Sequence, residues 1–294
     1  MNPAETVEAA APRSLIAGAA LRLERAGVDS AWLDAEVLLA EAACLTRERL
    51  WARFKQPLEE QAASAFAALV ARRVRREPLA YLTGRREFYG LELEVCPDVL
   101  IARPETETLV DLALAQLKGR RQARVLDLGP GCGAIAMAIA VHTAGVRLVG
   151  ADICSRALSV ARRNVQRHGL SQRIALERCD IFTPQDGGPH LGRFDLVVSN
   201  PPYVTDDEYA RLSPEVRCYE PRTALVAGAD GLSFYRRIAA QLPGHLFQGG
   251  VALLEVDPRR AQAVAELMAA AGARSIGSHP DLAGQVRVVE ARFY

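Results

Sequence analysis

Apolar strand-like runs alternate with helical patterns after Pro104, and no other feature limits the fold so strongly. Alternation of this kind builds mostly parallel sheets whose two faces are covered by helices. Strands are predicted at 123–128, 147–151, 173–178, 194–199, 250–256 and 286–292. Helices are predicted at 105–118, 133–143, 155–168, 231–242 and 259–271. The sequence therefore predicts an α/β domain over residues 104–294.

The chain before Pro104 has a different pattern. Apolar residues recur at helical spacing over residues 14–77, which predicts a small helical bundle. Over residues 86–103 the apolar period changes to two and is broken by Gly90 and Pro97, which predicts a β-hairpin. We predict three parts, a helical domain at 1–80, a hairpin linker at 81–103 and the α/β domain at 104–294.

Composition narrows the class of protein. The 294 residues carry a net charge of +1, with 50% hydrophobic and 24% charged residues. This balance is typical of a soluble globular protein. The net charge is too small to attract nucleic acid or an anionic membrane surface by itself. The six cysteines form no CxxC or Cys/His ligand spacing, so neither a zinc site nor a disulfide framework is predicted. We expect a cytoplasmic protein without a metal, a stable nucleic-acid partner or a membrane segment.

A glycine-rich turn follows the first strand of the α/β domain. An apolar strand ends near an acid, and glycines at alternate positions then lead into a helix. Such a turn lets backbone N–H groups approach a ligand at a helix N-terminus. The candidate cofactor residues in this loop are Asp127, Gly129, Pro130, Gly131, Cys132 and Gly133.

Acidic residues end the next two strands. Asp152 can accept two hydrogen bonds from a ribose diol, and Asp180 with Ile181 can hold an adenine. The pattern Gly129-x-Gly131-x-x-Ala134, with Asp152 about 20 residues further on, also fits the dinucleotide fingerprint. The glycine loop alone therefore leaves a nicotinamide cofactor open.

The segment Asn200-Pro201-Pro202-Tyr203 follows the fourth strand, where an open α/β sheet places its ligand crevice. Its prolines restrict the backbone to an extended form. The Asn200 side-chain oxygen and the Pro201 carbonyl oxygen are neighbouring acceptors that suit one NH₂ group. Tyr203 supplies a flat face for an amide or a base. We assign catalysis to Asn200, Pro201 and Tyr203, substrate binding to all four residues, and a cofactor contact to Asn200.

These two motifs resemble those of S-adenosylmethionine-dependent methyltransferases that modify amino nitrogens. The segments Tyr81–Gly90, Arg103–Glu107 and Tyr219–Arg222, followed by Asp230-Gly231, are similar to the release-factor glutamine N5-methyltransferase family. The resemblance covers almost the whole chain. It implies a Rossmann-like, seven-stranded class I methyltransferase domain with one antiparallel strand, preceded by the helical bundle and the hairpin.

The resemblance also carries functional expectations. It implies S-adenosylmethionine as the cofactor, with Asp127 at its amino-acid end. It implies peptide-chain release factors as partners, methylated at the Gln of a Gly-Gly-Gln loop. We predict that the helical domain docks this substrate, and shielding of the active site is the alternative. The chain departs from the family at Ala102, where Pro is usual, and at Ile181, where Trp is common. It also departs at Asp257 and Arg260, where Gly and Gln are typical.

Other functions stay open on the residues alone. A ribosomal-protein glutamine methyltransferase is a near relative. A DNA or RNA adenine N6-methyltransferase is another alternative, because the Asn-Pro-Pro-Tyr segment also suits the exocyclic amine of a base. The net charge of +1 and the lack of a basic insert argue against a nucleic-acid substrate. A nicotinamide oxidoreductase would leave the Asn-Pro-Pro-Tyr segment unexplained.

Overall fold

The computed structural model describes residues 11–54, 56, 58–120, 122–185, 187 and 191–294. The contacts divide the chain into two compact units. The first unit comprises the chain up to Gly84 together with Ser213–Tyr219, and the second comprises Arg85–Leu212 and Glu220–Tyr294. The first ten residues of the predicted helical domain lie outside the described ranges.

The first unit is helical. Pro12 begins its first helix, where the missing N–H of proline would have no partner in any case. The N-terminal helices are α1 (Pro12–Arg25), α2 (Ala31–Ala42), α3 (Arg47–Ala52), α4 (Glu60–Val74) and α5 (Leu79–Thr83). Their apolar stripes meet in one core that includes Ile16, Leu23, Leu38, Leu39, Leu50, Phe66 and Val70. Burial of these stripes explains why the helical period was readable in the sequence.

A short helix from further along the chain, Pro214–Tyr219, belongs to this same unit. Glu215 of this helix pairs with Arg76, and it also accepts from Arg73 at 3.1 Å. Arg73 is buried and donates to Asp34 Oδ2 at 2.7 Å. The sequence analysis missed the helix because six residues are too few to show a period.

The second unit starts with the hairpin β1 (Arg85–Phe88) and β2 (Leu91–Glu94), which is shorter than predicted. Beyond Glu94 the chain turns, and Val99 N–H donates to the Cys96 carbonyl at 3.1 Å. Pro97 lies inside this turn. Because proline has no N–H, it cannot donate the backbone hydrogen bond that would continue the β-strand pairing. The apolar alternation therefore continues past the end of the strand.

The remaining elements alternate as predicted, with additions. A 3₁₀ turn at Pro104–Thr106 leads into α6 (Glu107–Leu117), β3 (Ala123–Leu128), α7 (Ala134–His142), β4 (Val146–Asp152), α8 (Ser155–Arg167), β5 (Ile174–Asp180), β6 (Thr183–Pro184) and β7 (Phe194–Ser199). After these come α9 (Asp206–Tyr209), α10 (the Pro214–Tyr219 helix of the first unit), α11 (Ser233–His245), β8 (Leu246–Glu255), α12 (Ala261–Ala270), β9 (Ser275–Pro280) and β10 (Val286–Arg292). The prediction lacked β6, β9, α9 and α10.

The sheet has the order β6-β5-β4-β3-β7-β8-β10-β9. Strands β5, β4, β3, β7 and β8 are parallel, and β10 is antiparallel to both β8 and β9. The class I methyltransferase architecture, with one antiparallel strand among seven, is thus confirmed, and the two-residue β6 adds an eighth strand. None of the helices in the described ranges is long and apolar enough to cross a bilayer.

Candidate active site

The predicted site residues lie along the carboxyl edge of four adjacent parallel strands, β5, β4, β3 and β7. Strand β3 pairs with β4 on one side and with β7 on the other, so the strand order reverses at this point. The register places Leu128 beside both Ala151 and Ser199. The glycine loop and the Asn-Pro-Pro-Tyr segment therefore start at neighbouring positions. Open α/β sheets bind ligands at such a switch point.

The three alternate glycines all have a left-handed backbone. Gly129, Gly131 and Gly133 have φ values of 73°, 55° and 91°, which other residues adopt only with strain. A Cβ added at Gly129 or Gly131 would meet no atom of the described ranges within 4 Å, so open space lies beside both residues. Gly133 precedes α7, whose first N–H groups therefore border this loop. The loop can hold a ligand through its backbone.

Asp127 is fully buried below the loop. Its Oδ2 accepts from Ala136 N–H at 3.1 Å, whereas its Oδ1 has no hydrogen-bond partner among the described residues. Burial raises the pKa of Asp127 to about 7 from its ordinary value of 3.8. A buried carboxylate oxygen without a partner is costly. A ligand ammonium group would satisfy it.

Asp152 at the end of β4 is hydrogen-bonded to backbone. Its Oδ1 accepts from Cys154 N–H at 2.8 Å, and its Oδ2 lies 3.4 Å from Gly131 N. Burial raises the pKa of Asp152, and the backbone donors oppose this effect. These bonds hold the carboxylate at the loop and leave it further lone pairs for hydroxyl groups.

Cys132 has a buried side chain, and burial raises the pKa of its thiol to about 11. Its carbonyl oxygen accepts from Asn164 Nδ2 at 2.9 Å. The same Asn164 also exchanges hydrogen bonds with the backbone of Glu94 in β2. Cys132 therefore contributes to the loop through its backbone and packing.

Asp180 is the last residue of β5, and Ile181 follows it at the same edge. Asp180 Oδ1 pairs with Arg237 at 2.7 Å, a contact that the sequence analysis did not foresee. Ile181 has φ 60°, an outlier for a β-branched residue. Strained backbone of this kind is concentrated at ligand sites. The Ile181 side chain packs on the large core of the second unit.

The Asn-Pro-Pro-Tyr segment is anchored at both ends. Ser199 Oγ, just before it, donates to the Leu128 carbonyl at 2.7 Å. Val204, just after it, donates its N–H to Leu225 O at 2.9 Å. Pro201 is buried, and burial together with the Glu255 charge raises the pKa of Tyr203 to about 12. The Tyr203 hydroxyl is therefore neutral at physiological pH.

Asn200 donates Nδ2–H to Thr106 Oγ1 at 3.2 Å. Thr106 in turn hydrogen-bonds Glu255, the last residue of β8. The sequence analysis did not assign Thr106 or Glu255 to the site. Their positions in the sequence could have indicated a role. Glu255 ends a strand next to β7, and Thr106 lies in the Arg103–Glu107 segment.

A second carboxylate fixes the turn before α6. Glu220 is buried and accepts from Ile101 N–H at 3.1 Å, and its other oxygen pairs with Arg103. These bonds hold the turn in which Ala102 replaces the usual proline. Within the Tyr219–Arg222 segment, Glu220 is thus a direct contact to the turn before α6.

The departures at Asp257 and Arg260 form an ion-pair cluster. Arg260 pairs with Glu208 at 2.6 Å and donates to the Asp230 carbonyl at 3.1 Å. Asp257 accepts from Arg259 N–H at 2.9 Å and pairs with the side chains of both arginines. The two changes therefore join the turn after β8 to the segment that follows Tyr203.

Two family models match this chain. The PrmC N-terminal domain matches residues 14–84, and the methyltransferase small domain matches residues 106–213. The chain is also similar to a solved structure of the hMettl16 catalytic domain with an RNA hairpin. That match has 17% identity and a TM-score of 0.56, and it covers 76% of this chain and 80% of the other. At this identity the likeness shows the fold alone.

Curated relatives match along the full length. A release factor glutamine methyltransferase from Cereibacter sphaeroides is 40% identical and covers 99% of both chains. Another, from Geobacter sulfurreducens, is 41% identical over 92% of both. The match to the first of these covers 99% of this chain, so it includes the helical unit as well as the sheet. This chain therefore belongs to the release factor glutamine methyltransferase family.

Proposed function

We propose that this protein transfers a methyl group from S-adenosylmethionine to the side-chain amide nitrogen, N5, of the glutamine in the Gly-Gly-Gln loop of peptide-chain release factors. The observation that carries the proposal is the full-length identity to release factor glutamine methyltransferases, which includes the helical unit. Because release factors act in translation, the proposed location is the cytoplasm.

The residues at the carboxyl edge fit S-adenosylmethionine. Asp127 Oδ1 is a buried acceptor without a partner in the described part of the chain, and it suits the ammonium of the cofactor's amino-acid end. Gly129 and Gly131 leave open space in which backbone N–H groups can meet the cofactor. Asp152 suits a ribose diol, and Ile181 supplies an apolar surface for the adenine. Asp180, paired with Arg237, is the weakest of the proposed cofactor contacts.

Methyl transfer requires the weakly nucleophilic amide nitrogen of glutamine to be oriented towards the methyl group. The lone pair of an amide nitrogen is delocalised into the carbonyl group, and bound S-adenosylmethionine supplies an electrophilic methyl group. Asn200 Oδ1 and Pro201 O would accept the two N–H hydrogens of the glutamine and disfavour that delocalisation. Tyr203 would pack on the planar amide. Positioning of this kind lowers a barrier by several kcal/mol without a strong base.

We also propose that the helical unit docks the release factor. Its surface exposes large apolar side chains, including Leu21, Trp32, Leu33 and Trp51, which are 45–48% exposed. Aromatic and apolar groups of this kind are enriched at protein interfaces. A docking role would give a function to the helical unit, which contains none of the proposed cofactor or substrate residues.

Labelled S-adenosylmethionine with several acceptors tests the substrate. The acceptors are an intact release factor, the same factor with the target Gln replaced by Asn, a short Gly-Gly-Gln peptide, a ribosomal-protein fraction, DNA and RNA. We expect label only on the intact factor, mapped to the Gly-Gly-Gln peptide, and poor activity on the free peptide. Label on DNA, RNA or ribosomal protein, with none on the release factor, would contradict the substrate assignment.

Ligand-dependent thermal stability tests the cofactor separately. A ligand that binds only the folded protein raises its melting temperature by mass action. S-adenosylmethionine or its demethylated product should do so, and NAD should not. Gly131→Val should abolish the shift, because its branched side chain enters the space of the loop and its φ of 55° is unfavourable for valine. A shift with NAD alone would overturn the cofactor assignment.

A further inference from the structure

A chain of polar groups leads from the end of β8 to Asn200. Glu255 is 1% exposed and Thr106 is 4% exposed. Asn200 Nδ2 donates to Thr106 Oγ1 at 3.2 Å, and a side-chain hydrogen bond with Thr106 opposes the rise in the pKa of Glu255 that burial causes. The three residues come from separate segments of the second unit.

Counting hydrogens determines the direction of these bonds. A threonine hydroxyl has one hydrogen to donate, and an ionised carboxylate only accepts. The hydrogen of Thr106 therefore goes to Glu255, and the oxygen of Thr106 must accept from Asn200. An Asn200 amide rotated by half a turn would place two acceptor oxygens against each other.

We propose that Thr106 and Glu255 are positioning residues that hold the Asn200 amide so that its Oδ1 accepts the substrate NH₂ group. This inference rests on the proposed function, because it concerns the acceptor used in that reaction. A rotated amide would offer its own NH₂ group to the substrate NH₂ group, and two donors form no hydrogen bond. Neither Thr106 nor Glu255 needs to touch the substrate, since both act through Asn200.

The backbone and surroundings of Glu255 support this role. Tyr235 is fully buried and donates its hydroxyl hydrogen to the Glu255 carbonyl at 2.7 Å, which fixes the end of β8. Glu255 Oε2 has no hydrogen-bond partner within the described ranges. Stability alone does not explain a buried carboxylate that is only partly satisfied.

Protonation of Glu255 would release the constraint. A protonated carboxyl group can donate to Thr106, whose own hydrogen then becomes free to turn towards Asn200 Oδ1. Burial raises the pKa of Glu255 to about 7, and the Thr106 bond and Arg287 oppose that rise. Activity should therefore decrease as the pH falls through the neutral range. The titratable and charged groups that face Glu255 are Arg103, Glu105, Tyr203, Tyr235 and Arg287.

Steady-state kinetics of the full chain with intact release factor, between about pH 6 and pH 9, test the inference. Thr106→Val removes both hydrogen bonds at nearly constant volume and should lower kcat about 10- to 100-fold, with KM for S-adenosylmethionine unchanged. Thr106→Ser keeps the hydroxyl and should stay within about threefold of wild type. Glu255→Gln cannot ionise and should lose the acid limb of the kcat profile.

Two matched controls lie elsewhere in the second unit. Thr143→Val removes a hydroxyl that bonds Ile139 O at the end of α7, and Glu290→Gln neutralises another buried carboxylate. Both variants should keep the wild-type kcat and its acid limb. Their behaviour separates the effect at Asn200 from the general effect of losing a hydroxyl or a charge.

Several outcomes would overturn the inference. These are a wild-type kcat in Thr106→Val, equal losses in Thr106→Ser and Thr106→Val, or an acid limb that persists in Glu255→Gln. If Thr106→Val does not fold, the pH profile of Glu255→Gln decides. The proposed function has a separate test. It is contradicted if S-adenosylmethionine raises the melting temperature of the wild-type protein but the protein does not label release factor.

Discussion

Replacing Asp127 with Asn should stabilise the ligand-free protein while weakening its response to S-adenosylmethionine. Asp127 is fully buried, and burial raises its pKa in the folded state to about 7. In the unfolded chain it ionises near its ordinary value of 3.8. The protein therefore has the full stabilisation from this group below about pH 4 and loses it as the pH rises to about 7.

The size of the effect follows from these two values. The difference between 3.8 and about 7, at about 1.36 kcal/mol per pH unit, corresponds to a penalty of about 4 kcal/mol at pH 8. Asparagine stays neutral and avoids this penalty. Its oxygen can still accept from Ala136 N–H, but its NH₂ group would replace the unpaired Oδ1, which costs about 1–3 kcal/mol. A net gain of about 1–3 kcal/mol at pH 8 remains.

Urea unfolding of wild type and Asp127→Asn at pH 8 and at about pH 4 measures this gain. Other buried carboxyl groups titrate in both proteins, so the difference between the two proteins isolates Asp127. Asp195→Asn is the matched control, because Asp195 is partly exposed and already accepts from Arg124 N–H at 2.8 Å. This control should show no gain at pH 8.

Ligand response gives the second half of the test. The thermal shift with S-adenosylmethionine should fall strongly in Asp127→Asn, because an NH₂ group cannot accept from an ammonium group. Lower stability of Asp127→Asn at pH 8, or an unchanged ligand shift, would refute the reasoning. If Asp127 Oδ1 accepts from the ligand, Asp127→Asn must raise the stability of the ligand-free protein and reduce its thermal shift with S-adenosylmethionine.

Variants at Asn200, Tyr203 and Arg73 test the site and the helical unit. Asn200→Ala should lower kcat by orders of magnitude while the S-adenosylmethionine thermal shift is largely kept, and Asn200→Asp, which retains an acceptor, should lose less. Tyr203→Phe should lower kcat slightly and Tyr203→Ala strongly in the same assay. Equal losses of kcat would mean that the hydroxyl group, and not the ring, is required. Arg73→Ala removes the guanidinium group that lies 2.7 Å from the buried carboxylate of Asp34. This variant should lower the free energy of unfolding in urea by about 3–5 kcal/mol. Arg72→Ala, at a more exposed ion pair, should change it little.

The alternation after Pro104 was enough to predict the parallel sheet, since buried strands and their covering helices each carry a local apolar pattern. The prediction was wrong where such a pattern is absent or misleading. Strand β9 is mostly solvent-accessible and has few apolar side chains, so its sequence resembles a loop. The hairpin was predicted too long, because the apolar alternation beyond Glu94 belongs to a turn.

The candidate cofactor and substrate residues were predictable because their chemistry is local. Alternate glycines after a strand and two prolines after an asparagine restrict the backbone within a few positions. Their placement at the carboxyl ends of neighbouring strands also follows from the topology of a parallel sheet. Their roles in binding and catalysis stay predictions until the variants above are measured.

The sequence by itself determined the glycine turn, the Asn-Pro-Pro-Tyr segment and the sheet that brings them to one edge. Only the tertiary structure placed Thr106 beside Asn200, 94 positions away, and Glu255 beside Thr106. It also left Asp127 Oδ1 without a partner among the residues that the structure describes, and it paired Asp180 with Arg237. These contacts depend on strand order and register, which long-range packing sets and no local pattern encodes.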